Sequence, residues 1–308
     1  MIKYFLKRVL IGLVTLWVII TITFALVHAI PGGPFDMSEL EKLDENVKKN
    51  LEQSFGLDKP YDEQYTIYFK NLLKGELGVS IMYSPRTVKE IIKRELPVTA
   101  RLGGISIIFS CLVGTLWGIT AALKQGKWQD NTMRVLTAIG STIPGFVLAT
   151  LLIYVFAVKL RWVSPMGLKN IKSYILPALA MSFGSIAYLS RLTRSSLLDV
   201  VRQDYVRTAK AKGLTETTVT YKHALKNALL PVVTYVGPLV SSMLIGSFVI
   251  EKIFAIPGIG REMVLSIGNR DYMMVLGLTV FYSTILVMTF ILVDLTYALI
   301  DPRIKFDE

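Results

Sequence analysis

Six apolar stretches punctuate the chain, at about 9–30, 98–123, 133–158, 174–194, 231–250 and 275–300. Hydrocarbon about 30 Å thick is crossed by roughly 20 helical residues at about 1.5 Å each, so every stretch is long enough to span a bilayer. Lys3, Lys7 and Arg8 precede the first, as in a secretory leader. Yet the run from Val9 to Ile30 exceeds a leader's roughly 7–15 apolar residues and ends in His28-Ala29-Ile30-Pro31, without a small-x-small cleavage site. It reads as a retained span.

The segment 31–97 between the first two spans carries its own helical pattern. Ser38 and Glu41 form a capping-box pair, and Leu40, Leu43, Val47 and Leu51 follow at helical spacing until Gly56. Pro60 opens a second helix, with Tyr65, Tyr68, Phe69, Leu72 and Leu73 on it and Gly75 closing it. A third, about 86–96, sets Val88, Ile91, Ile92 and Leu96 against Arg86, Lys89, Lys93 and Arg94, an interfacial pattern that ends at Pro97. The segment is read equally as a cap over the span ends or as a docking surface for an outside partner. The chain thus divides into a tail with span one (1–30), an outer helical loop (31–97) and a core (98–308).

Charge sets the orientation. With the N-terminus inside, the segments 1–8, 124–134, 191–226 and 301–308 hold 16 Lys and Arg, against 7 in 159–173 and 251–274; 31–97 is too long to count. Both termini are therefore expected in the cytoplasm. Lys159, Arg161, Lys169 and Lys172 sit against this rule, with heads snorkelling at the interface. The net charge of +11 belongs to such loops, not to nucleic-acid binding, and the mean hydropathy is +0.50. One cysteine, Cys111, and two histidines, His28 and His223, exclude a disulfide framework and a Cys/His metal cluster. Cys111 reads as a small buried apolar residue.

The 191–226 segment carries eight basic residues against Asp199, Asp204 and Glu216, a net of +5. Within it, Asp204 to Gly213 reads as a short helix, Asp204 complementing its positive end and Gly213 giving a left-handed stop. A second helix, about 215–229, runs to Pro231. A helix–Gly–helix element of this size exceeds what a connection needs. It points to a cytosolic partner, with anionic lipid as the plainer alternative.

The run Tyr205 to Gly213, with His223-Ala224-Leu225-Lys226-Asn227-Ala228-Leu229-Leu230-Pro231, resembles the cytoplasmic motif of ABC importer permeases in its peptide-permease form. Pro31-Gly32-Gly33-Pro34, Gly56 to Pro60, Gly75 to Ser80, Pro257 to Gly260, Arg270-Asp271-Tyr272 and Asp301-Pro302-Arg303 follow the same family in order. Arg207-Thr208-Ala209 stands where the general motif opens Glu-Ala-Ala, and its Leu-Pro comes about five residues later than in sugar-type permeases. The resemblance is to the B-type subunit of oligopeptide/dipeptide importers. It implies an all-α, six-span type I permease that couples to ATPases through 195–230, specifically Asp204, Tyr205, Arg207, Ala209, Lys210, Lys212, Gly213 and Leu214. It further implies a homologous C-type permease beside this chain, two cytosolic ATPases holding ATP and Mg, an outside peptide-binding protein and a bacterial plasma membrane. Peptides are the implied cargo; nickel, opines and oligosaccharides are the alternatives within the family.

No GxxxxGK[ST] loop occurs, since Gly126-Lys127 is followed by Trp128; the chain is expected to bind no cofactor and to catalyse no reaction itself. An intramembrane protease would need a Ser–His pair or two carboxylates inside the spans, where only His28 and Asp294 stand. A secondary transporter would need inverted repeats and leaves the basic element unexplained. Asp294 needs a mate, and Arg191 and Arg194 are the expected ones. Ser241, Ser242 and Ser247 along span five are candidate pore-lining groups. Glu251 and Lys252 close that span as anchors, and Arg101 either snorkels or faces the pore. Pro144 should kink span three, with Ser141 and Thr142 repairing freed carbonyls. Gly114 and Gly118 permit close helix packing.

Overall fold

The computed structural model describes residues 2–34, 44–168 and 170–300; among them the regular elements are helices, joined by turns and loops, with one isolated bridge between Val79 and Thr87. Four helices, Phe5–Ala29, Val88–Leu123, Ile171–Val201 and Tyr272–Leu295, are each long and apolar enough to cross a membrane. Counting each of two bent pairs as one span gives six. These are Trp128–Thr142 with Gly145–Lys159, bent by 105°, and Glu216–Ala228 with Leu230–Leu244, bent by 42°. The chain forms two compact units, one of Met1–Val98 with Pro257–Ile291, the other of Thr99–Ile256 with Leu292–Glu308.

In the first unit, α1 (Ile2–Ala29) is followed by α2 (Glu45–Phe55) and α3 (Tyr61–Leu73). Helix α2 starts at an Asp44 cap whose carboxylate accepts from the Asn46 amide at 2.8 Å, and it stops at left-handed Gly56. The capping box at Ser38 and Glu41 lies outside the described residues. The two short helices are held by their apolar faces. Leu51, Phe55 and Leu57 pack on Val27, Ile81, Tyr272 and Val275; Tyr68 packs with Ile20, Phe24 and Leu276. At about 1.5–3 kcal/mol per buried large side chain, these contacts supply what short helices lack in propensity. The third expected helix is not separate: 88–96 opens α4 (Val88–Leu123), with Pro97 inside it. Val88, Ile91 and Ile92 are buried against Ile259 of α12 (Ile259–Gly268) and Met274 and Leu278 of α13 (Tyr272–Ile300), and this packing outweighs the hydrogen bond that Pro97 cannot make.

The second unit holds the rest of α4, then α5 (Trp128–Thr142), α6 (Gly145–Leu152) with its π-helical extension Ile153–Lys159, α7 (Ile175–Val201) and α8 (Asp204–Ala211). Next come α9 (Glu216–Thr218), a π-helical turn Val219–Ala224, α10 (Leu225–Ala228) and α11 (Leu230–Ile253). Span three is broken more sharply than a proline kink: the chain turns at Ile143-Pro144, and the Ser141 and Thr142 hydroxyls both donate to the Ala138 carbonyl. The small-residue pair on α4 is used. A methyl group on Gly118 would lie 2.5 Å from Thr193 Cβ and 2.6 Å from the Ser190 carbonyl, so α4 and α7 touch at backbone distance. Cys111 is half-buried beside a cluster of Leu189, Val232, Leu239 and Met243.

Candidate functional site

Helix α8 stands on its own short core. Val206 is fully buried and Ala209 nearly so, packed with Ala122, Leu197, Val219, Ala224 and Ala228. Gly213 takes φ +81°, the left-handed stop its position suggested, and its amide donates to the Lys210 carbonyl at 3.0 Å. Thr215 caps the next helix by accepting from the Thr218 amide, and Asn227 Nδ2 donates to Tyr205 OH at 2.8 Å. The two halves of the element are therefore stapled into one body. Asp204, Tyr205, Arg207, Lys210, Lys212, Gly213 and Leu214 are all exposed. They form an aromatic, cationic and apolar ridge with no catalytic constellation. The Asp204–Arg207 pair at 3.9 Å and the Lys210–Glu216 pair at 3.8 Å are loose and solvated.

Ala209 differs from the other seven in exposure. Its side chain faces inward, so it sets the seat of α8 and is not part of the presented ridge. Sequence reasoning missed Val206 and Asn227. Val206 had a legible signal, standing three residues before Ala209 on one helical face.

Behind the ridge, α7 is pinned to α5 by a buried carboxylate. Asp130 is fully buried and accepts from Arg194 Nε at 2.7 Å and Nη2 at 2.9 Å, from Arg134 Nη2 at 3.0 Å and from the Gly126 amide at 2.9 Å. The paired donors of Arg194 match both oxygens, the strongest geometry available to an ion pair. Arg191 donates to the Thr137 carbonyl at 3.3 Å and to Ser141 Oγ at 3.1 Å. These contacts correct the expected pairing of Asp294 with Arg191 and Arg194: both arginines turn to α5. Asp294 is half-buried on α13.

The three span-five serines separate. Ser241 and Ser247 are buried, their hydroxyls returned to the Gly237 and Leu244 carbonyls of their own helix, so neither lines an open surface of this chain. Ser242 is exposed and borders a pocket of about 300 Å³ with Tyr235, Met181, Met243, Gly184 and Ser185. Among the described residues no three His, Cys, Asp or Glu side chains are placed to hold a metal ion.

In the first unit the motif residues meet one another. Asp271 caps α13 through the Met274 amide (3.1 Å) and also accepts from Ser80 Oγ and from the Ile81 and Met82 amides, both at 3.2 Å. Tyr272 OH donates to the Gly32 carbonyl and Arg270 Nη1 to that of Gly33. His28 is hydrogen-bonded to the Phe24 carbonyl (2.8 Å) and to Gln64 Oε1 (3.1 Å), with Gln64 in turn donating to the Leu57 and Lys59 carbonyls. It is the satisfied interfacial histidine. Burial and the neighbouring Glu262 carboxylate push the Tyr83 phenol up to about 12.

Comparison with known proteins follows this geometry. The family model for the inner membrane component of binding-protein-dependent transport systems matches residues 114–306, and the model for its N-terminal part matches 1–103. The chain is 45% identical to the dipeptide transport system permease protein DppB of Bacillus subtilis, over all of this chain and 99% of that protein. It is 39% identical to the oligopeptide transport system permease protein OppB of Salmonella typhimurium, over 99% and 100%. Among solved structures, the MetNI methionine ABC transporter in an inward-facing form matches with TM-score 0.58 and 17% identity, over 69% of this chain and 97% of that one. An amino acid ABC transporter matches with TM-score 0.53 over 68% and 93%. These two establish the fold alone. With two models covering nearly the whole length and full-length relatives well above 30% identity, this chain belongs to the inner-membrane permeases of binding-protein-dependent transport systems.

Proposed function

We propose that this chain is one permease subunit of an ATP-driven importer of oligopeptides or dipeptides. The observation that carries the reading is the end-to-end match to DppB and OppB, which leaves no segment outside the likeness. In this reading the chain forms half of the pore beside a homologous permease, takes peptide from an extracytoplasmic binding protein, and holds no nucleotide. ATP and magnesium sit on two cytosolic ATPases. The basic segments 1–8, 124–134, 191–226 and 301–308 support an orientation with both termini and α8 in the cytoplasm and 31–97 outside.

The exposed ridge of Tyr205, Arg207, Lys210, Lys212 and Leu214 is the surface for the ATPase, and the stapled body behind it transmits rigid motion. Coupling of this kind requires that the inward and outward states differ in affinity for nucleotide-bound ATPase. Ser242 and its pocket are the part of span five offered to the pore. The test is uptake of a labelled pentapeptide by cells with and without this chain, against excess unlabelled tripeptide or nickel. Loss of uptake on deletion, with competition by peptide alone, is the expected result. Uptake unchanged by deletion, or competition by nickel, removes the peptide assignment.

A further inference from the structure

At the end of α4, Trp117 and Thr120 face Met133 and Leu136 of α5 across a groove of about 230 Å³, with Trp128, Gln129 and Thr132 at its mouth. Most of this lining is carbon. Trp128 leaves 71% of its surface uncovered, a costly exposure for an indole in bulk water and a normal one at the edge of hydrocarbon. The turn that leads from α4 into α5 beside this groove is cationic. Lys124 and Lys127 are exposed, and neither makes a described ion pair with a carboxylate; Asp130, the acidic residue nearest in sequence, is consumed by Arg194 and Arg134. The Gln129 carboxamide is satisfied only with its oxygen turned to Lys124 Nζ at 3.0 Å and Trp128 Nε1 at 3.1 Å. An ammonium and an indole N–H thus converge on one neutral oxygen beside an apolar trough.

We propose that this groove between α4 and α5 holds one anionic phospholipid. Its acyl chain lies along Trp117, Met133 and Leu136, and its phosphate takes the donors of Lys124, Lys127 and Trp128. The assignment follows from charge complementarity beside the groove and from the apolar lining of the trough. A phosphate oxygen is a stronger acceptor for these donors than the carboxamide they now share. The site adjoins the 124–127 turn between α4 and α5 and is independent of which solute the chain carries.

The test uses the full chain purified in mild detergent, stripped of lipid and titrated with phosphatidylglycerol or phosphatidylcholine, with bound lipid counted by native mass spectrometry. One saturable phosphatidylglycerol is expected, in preference to phosphatidylcholine. Each lysine removed should weaken it about fivefold, so Lys124→Gln with Lys127→Gln together should weaken it about 25-fold. Thr132→Trp fills the groove without touching either charge and should abolish the same saturable phase. Equal binding of both lipids overturns the headgroup assignment. Unchanged phosphatidylglycerol binding in the lysine pair and in Thr132→Trp overturns the site, as does lipid lost from the wild-type chain once its partner permease is bound, which would mark the groove as a protein interface.

Discussion

Two buried aspartates, one in each unit, hold the chain together by opposite means. Asp130 is neutralised by guanidinium groups from two helices, and three of its four hydrogen bonds are charge against charge. Among the described residues no arginine or lysine is hydrogen-bonded to Asp271; its oxygens are met by three backbone amides and a serine hydroxyl. The first arrangement fixes the position of one helix against another through a long side chain. The second fixes a loop and a helix start through the backbone itself. The difference teaches where each can be perturbed: a clamp fails when either charge is removed, whereas a cap fails when the acceptor geometry changes.

The largest expected effect tests the clamp. Asp130→Ala strands the Arg194 guanidinium, only 19% of whose side chain is exposed, and should cost about 3–5 kcal/mol in thermal unfolding of the purified protein. Asp130→Ala with Arg194→Met should recover most of the loss, because the remaining unpaired charge, Arg134, is 56% exposed and stays hydrated. A double variant as unstable as the single one would show that packing, not charge, joins α5 to α7. The cap comes next. Asp271→Asn turns an NH₂ toward Ser80 Oγ and the Met82 amide and should cost about 2–3 kcal/mol, little less than Asp271→Ala. A harmless Asn would mean that neither the charge nor the second acceptor oxygen of Asp271 holds 80–82, erasing the contrast.

Gly118→Ala should cost about 1–3 kcal/mol by forcing α4 from α7, seen as a lower melting temperature; an unchanged one would show that the crossing can relax. The smallest stability effect belongs to the ridge. Leu214→Ala, at an exposed position, should leave the melting temperature within error yet lower peptide-stimulated ATP hydrolysis of the assembled transporter several-fold. Val206→Asp, three residues before Ala209 on the buried face, should instead unfold the element.

These positions also show what the sequence could and could not reveal. The spans were legible because apolar run length answers directly to bilayer thickness, and α8 was legible because a charged start and a glycine stop are local signals. Asp271 was half legible: a polar residue just before a long apolar helix reads as a cap, but its hold on 80–82 depends on contacts about 190 residues apart. Asp130 was not legible as a clamp, since its main partner lies 64 residues away and both regions simply look charged. The burial of Ser241 and Ser247 was hidden for a related reason. One hydroxyl pattern on a helix serves pore and packing equally, and only the neighbours decide. Continuity of α4 through Pro97 overrode a local rule because the residues before the proline were claimed by α12 and α13.

The break at Ile143-Pro144 bears on how the protein is made. Its first half, Trp128–Thr142, is 15 residues long, about 22 Å, too short to cross hydrocarbon alone. The turn between the halves also bares backbone groups that lipid does not satisfy. Shelter comes from residues 180–187 of α7, which pack against Gly140 and Gly145 and are synthesised roughly 40 residues later. The broken span therefore cannot settle as it leaves the ribosome, and its partition into the bilayer waits for a helix that has yet to be translated.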